Sequence, residues 1–118
     1  MPTGATAWKG LVALTALLLA APVIAAPVLA ADRPAVIELF TSQGCSSCPP
    51  ADVLIRDIAR DRRDVVALSF PVDIWDYIGW KDTLAKPEFT ARQKHYAQSR
   101  GDHQVYTPQI VVDGAVHG

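Results

Sequence analysis

Residues 35–63, AVIELFTSQGCSSCPPADVLIRDIARDRR, decide the fold of this chain. The stretch opens on Ala35–Phe40, a nearly continuous apolar run broken by Glu38, which reads as a buried strand. Thr41–Gly44 is small and polar, as a turn requires. Beyond Cys45, Ser46, Ser47 and Cys48 come Pro49 and Pro50, and then a helical pattern. Ala51, Leu54, Ile55, Ile58 and Ala59 recur at i, i+3, i+4, i+7 and i+8 on one face, with Asp52, Arg56, Asp57 and Arg60 on the other. Asp52 and Arg56 stand four residues apart, as an ion pair on one helix face would. The helix is expected to end near Arg63, its arginines close to the negative end of the dipole.

Downstream, Val65–Phe70 (VVALSF) reads as a strand buried on both faces. Strand, helix, strand makes a βαβ unit with a right-handed crossover. Residues 71–82 (PVDIWDYIGWKD) form a long connection carrying Trp75, Tyr77, Ile78 and Trp80. Lys86–Arg100 is a weaker helix candidate, with Phe89, Tyr96 and Ala97 as its buried stripe and Arg92, Gln93 and Lys94 on a solvated face. Thr107-Pro108 precedes a third strand, Gln109–Val112, and Asp113-Gly114 signals a two-residue hairpin. A returning strand begins after it.

Upstream, residues 1–30 are set apart as a signal peptide: one charge, Lys9, then the apolar run Leu11–Ala21 and an Ala- and Pro-rich stretch. An uncleaved anchor is the competing reading, because residues 10–31 carry no charge. Either way the domain, residues 31–118, is expected outside the cytoplasm, periplasmic or secreted, with a membrane contact only if the leader is retained. The full chain has 118 residues, half of them hydrophobic, and a formal net charge of −1. That suits one folded domain and leaves no basic excess to track nucleic acid.

The chemistry sits on the two cysteines. In an oxidising compartment an even count points to a disulfide. A bridge over so short a loop is a weak staple, yet C-x-x-C is the spacing at which a helix start can poise two sulfurs for exchange. Cys45 is expected to attack and Cys48, more buried, to resolve, with Ser46 and Ser47 able to donate to the Cys45 thiolate. Pro49-Pro50 disfavours helical geometry before each proline, so the regular helix is expected to begin as late as Pro50, with a weaker dipole effect on Cys45. A permanent structural bridge and a metal-binding dithiol are the other readings. No metal set is assigned, because His95, His103 and His117 lack ligand spacing with the cysteines. They are taken as surface residues.

Two further groups of residues carry double readings. Glu38 either relays the proton of Cys48 from beneath the dithiol or pairs with an arginine. The Trp75/Tyr77/Trp80 segment either walls a peptide groove or tucks an aromatic ring into the core. Asp73, Asp76 and Asp82 are assigned to turns and caps.

The order strand, C-x-x-C, helix, second βα unit, Thr-Pro, strand resembles the thioredoxin fold. The resemblance implies an α/β architecture with a central mixed sheet flanked by helices, and a cis Pro108 preceded by Thr107 facing the dithiol and contacting substrate, with Trp75 beside them. More narrowly, ELFTSQGCSSCPPAD (38–52), VDIWDYIGWKD (72–82), TARQKHYA (90–97) and VYTPQIVVDG (105–114) resemble a bacterial family of secreted thioredoxin-like proteins described as a domain of unknown function. The family pattern places a histidine where this chain has Pro71, and it continues past the Asp-Gly turn. The C-terminal strand and helix of the fold are therefore expected to be truncated here. The resemblance implies thiol–disulfide exchange with protein or small-molecule thiols and disulfides, with no cofactor.

Overall fold

The structure is a computed structural model that describes residues 3–4 and 33–118. The expected leader, apart from residues 3–4, lies outside the described residues. Four strands and two helices follow in the order β1 (Ala35–Thr41), α1 (Pro49–Asp61), β2 (Val65–Pro71), α2 (Pro87–Arg100), β3 (Gln109–Val112) and β4 (Val116–His117). A single 3-10 turn, Asp76–Ile78, lies in the connection between β2 and α2. The sheet runs β2-β1-β3-β4, with β1 parallel to β2 and antiparallel to β3. This is a thioredoxin-like α/β fold.

Alternation along β1 sorts its side chains between two layers. Thr41 turns toward α1, where its hydroxyl donates to Asp52 at 2.6 Å. Phe40 turns the other way, stacking on Phe70 of the paired strand at 5.5 Å and meeting Tyr96 of α2 edge-on at 6.1 Å. Phe89 completes the aromatic set against Phe70. Phe40, Val72 and Val111 form the buried centre of this layer. Full burial of a side chain such as Phe40 stabilises the fold by about 1.5–3 kcal/mol.

The returning hairpin forms as its dipeptide demands. Asp113 and Gly114 both take positive φ (48° and 72°), and Ala115 N–H donates to the Val112 carbonyl. β4 pairs antiparallel with β3, so the returning strand is present as two residues.

Four expectations need correction. β2 is not buried on both faces: Val66 and Leu68 are exposed. It is an edge strand, and α2 covers only its Phe70 end. Asp52 does not pair with Arg56, because Thr41 takes Asp52 while Arg56 bonds the adjacent Asp57. α1 ends at Asp61, with Arg62 already extended. Gln93 is fully buried rather than solvated. It lies four residues after Phe89 and four before Ala97, on the same helical stripe, so geometry overrides its polarity.

Candidate functional site

The turn between β1 and α1 carries Cys45 and Cys48, joined by a disulfide with Cα atoms 5.4 Å apart. Cys48 is the N-cap of α1 and is completely buried, whereas Cys45 is half-buried. The helix begins at Pro49, one residue earlier than Pro50, and Cys48 adopts helical dihedrals (φ −77°, ψ −32°) despite the proline after it. Its carbonyl accepts the first helical bond from Asp52 at 3.0 Å.

The pair of prolines has an electrostatic effect. Neither has an N–H, so two of the donors that a helix start normally offers to an anion are missing. The side chain of Ser47 supplies one instead. Its oxygen lies 3.6 Å from Cys45 Sγ, and since the bridged sulfur has no hydrogen, the hydroxyl is the donor.

A shallow cleft of about 230 Å3 opens beside Cys45, lined by Gly44, Ser46, Ser47, Trp75, Ile78 and Thr107 along with Cys45 itself. Trp75 is half-buried, and its indole N–H donates to the Thr107 hydroxyl at 2.7 Å. That bond ties the wall of the cleft to the loop before β3. The Thr107-Pro108 peptide is cis. Thr107 lines the cleft and Pro108, half-buried, follows it into β3. Cys45, Trp75 and Thr107 are thus gathered from three separate segments.

The remaining aromatic side chains of the connection stay outside the core. Tyr77 is 79% exposed and Trp80 62%. The loop that carries them is nevertheless anchored. Asp82, only 3% exposed, accepts the Gln43 N–H and the Leu84 N–H, each at 2.8 Å, and its own N–H donates to Asp76. A Cβ on Gly44 would stand 3.3 Å from the Trp80 carbonyl oxygen, so a larger residue there would push turn and loop apart by a few tenths of an ångström. Asp73 accepts the Thr90 hydroxyl. All three aspartates do turn and anchoring work.

Glu38 has the second of its two roles. It is buried on the α2 side of the sheet, where its carboxylate accepts from Arg92 Nε and from the Tyr96 hydroxyl. Alternation along β1 puts it with Phe40, away from the layer of α1 that begins at Cys48. The pairing raises the pKa of the Arg92 guanidinium, chiefly through the hydrogen bond to Glu38. For Tyr96, burial is the main cause of a raised pKa, followed by its bond to Glu38. His95, His103 and His117 are exposed, as expected of surface residues.

Sequence reasoning gives Asp82 turn duty without naming its distant partner, and it misses the support from Gln93. Asp82 fixes the turn before Cys45 from 39 residues away. Gln93, buried in α2, donates to the Tyr106 carbonyl at 2.8 Å and so braces the segment leading to Thr107. The Thr-Pro signal pointed to that loop, but no pattern in α2 marked Gln93 as its support.

Comparison with solved structures finds the X-ray crystal structure of a protein from Agrobacterium tumefaciens, 51% identical, with a TM-score of 0.67. The similarity covers 71% of this chain and 37% of that one, so this chain spans little more than a third of that protein's length. Comparison with curated proteins finds no match. A family model described as "Protein of unknown function (DUF1223)" matches residues 36–118, and this chain belongs to that family.

Proposed function

We propose that this chain is a thiol–disulfide oxidoreductase, exported from the cytoplasm, that exchanges electrons with protein or small-molecule thiols and disulfides. The observation that carries the reading is the asymmetry of the Cys45–Cys48 pair: a half-buried sulfur at an open cleft backed by a fully buried one. In the reduced protein the Cys45 thiolate attacks a substrate disulfide, one substrate sulfur leaves as a thiolate, and a mixed disulfide forms. Cys48 then attacks Cys45 Sγ, closing the bridge and releasing the second substrate thiol. Two electrons pass to the substrate. The reverse course starts with a substrate thiolate attacking Cys45 Sγ and expelling Cys48.

Ser47 is placed to stabilise the Cys45 thiolate by its hydroxyl. Trp75 and Thr107 would contact the substrate, with Pro108 shaping that loop. The apolar run Leu11–Ala21 supports export.

Trapping tests the reading. Cys48→Ser is expected to accumulate a mixed disulfide through Cys45 when offered a thiol-reactive protein disulfide, and Cys45→Ser to accumulate none. Full exchange activity in Cys45→Ser would refute the assignment. A redox titration separates catalysis from a permanent bridge: structural disulfides lie below about −300 mV, and a value in that range would favour the bridge.

A further inference from the structure

The cleft at Cys45 has walls of unusual character. Every residue lining it is uncharged, and its larger side chains are Trp75 and Ile78. Ile78 is exposed, as are Tyr77 and Trp80 on the same connection; the Tyr77 ring neighbours that of Trp75, and the Trp80 carbonyl approaches Gly44. Such side chains cost solvation when left in water. They are also held in place. Asp82 clamps the loop to the Gln43 backbone, Gly44 admits the close approach of the Trp80 carbonyl, and the Trp75 ring lies 6.3 Å from that of Tyr77. An anchored apolar surface binds at lower entropic cost than one that must first be ordered.

Resting on the oxidoreductase reading above, we infer that the site takes extended polypeptide segments with an apolar or aromatic side chain next to the reacting cysteine, in preference to small anionic thiols. A small thiol carrying carboxylates meets no lysine, arginine or histidine in the cleft lining to pair with them. A polypeptide can lay its cysteine against Cys45 while the neighbouring side chain covers Ile78, Tyr77 and Trp80. Ile78 lines the cleft, and Tyr77 and Trp80 stand beside it in the chain. The exchange balances as before: a peptide thiolate attacks Cys45 Sγ, the Cys45–Cys48 bond breaks, and Cys48 leaves as a thiolate. A second cysteine of the peptide then attacks the mixed disulfide and frees Cys45. The peptide loses two electrons and becomes a disulfide, and the protein gains them as a dithiol.

The test measures the second-order rate at which three reductants open the disulfide of the full chain. They are a two-cysteine peptide with Leu and Phe beside its cysteines, a peptide of equal length with Asp and Glu there, and glutathione. The apolar peptide is expected to react at least about tenfold faster than either of the others, the rate equivalent of ~1.4 kcal/mol. The double variant Tyr77→Ser, Trp80→Ser is expected to lose most of that advantage while its glutathione rate and thermal melting stay at wild-type values. Equal rates for the two peptides, or a variant that keeps the full preference, would overturn the inference while leaving the oxidoreductase reading in place. If none of the three opens the disulfide, the oxidoreductase reading itself fails and the substrate class falls with it.

Discussion

Asp82→Asn is a sharp probe of how the site is built. The side chain is nearly isosteric, so packing is preserved and the change isolates hydrogen bonding. In the wild type both carboxylate oxygens are occupied: Oδ2 takes the Gln43 N–H and Oδ1 the Leu84 N–H. The amide retains one acceptor oxygen and turns an NH2 group toward the other N–H. A hydrogen bond to a charged group contributes about 1.5–3 kcal/mol net. One such bond becomes a neutral one and the other a donor facing a donor. Gln43 is exposed, so water partly replaces the lost partner. The expected destabilisation is therefore about 2–3 kcal/mol, near the lower end of what two broken bonds could cost. With a urea m-value of about 1.5 kcal/mol/M, the midpoint of oxidised protein falls by roughly 1.3–2 M. Alkylation of Cys45 in reduced Asp82→Asn should also accelerate, because the turn before it is no longer clamped. A loss of stability under about 0.5 kcal/mol, the size of an ordinary surface substitution, would refute the argument that Asp82 anchors this turn.

Two other outcomes are expected. Arg92→Ala should cost about 2 kcal/mol in chemical denaturation, less than the ~3–5 kcal/mol for breaking a fully enclosed pair; Arg92 is about half exposed and Tyr96 goes on donating to Glu38. An equal loss from Arg92→Lys would show that charge alone does not hold Glu38. Asp102 is held at a pKa of about 2, against a reference of 3.8, chiefly by its hydrogen bond from Arg100, and Asp64 is held there by Arg62. Since the folded-state values are depressed, both support the fold above about pH 4 and lose that support as pH falls toward 2. Carboxylate NMR titration should place both midpoints near 2 and return Asp64 toward its ordinary value in Arg62→Ala.

The parts legible in the sequence are those governed by local periodicity. The apolar run of β1 and the Asp113-Gly114 turn depend on neighbours a few residues apart and form where expected; of the α1 stripe, Ile55 is buried while Leu54 and Ala59 are exposed. What local periodicity leaves open is which distant partner a polar residue takes. Glu38 meets Arg92 across 54 residues, and Gln43 meets Asp82 across 39. A buried polar group must find a partner, but its own sequence neighbourhood does not say which. Gln93 is the plainest example: helical spacing alone would have placed it on the buried stripe between Phe89 and Ala97, and its polarity argued otherwise. The exposure of Val66 and Leu68 is likewise set by how far α2 reaches along β2, which no pattern within β2 encodes.

The cleft beside Cys45 also separates two events in the life of the molecule. The disulfide joins residues three apart in the chain, so closing it needs no contact between distant segments. The cleft lining draws on residues 44–47, Trp75, Ile78 and Thr107, which meet only when the whole α/β layer arrangement is in place. A preparation that titrates as fully oxidised can therefore lack any working site, and free-thiol content is a measure of oxidation history rather than of folding.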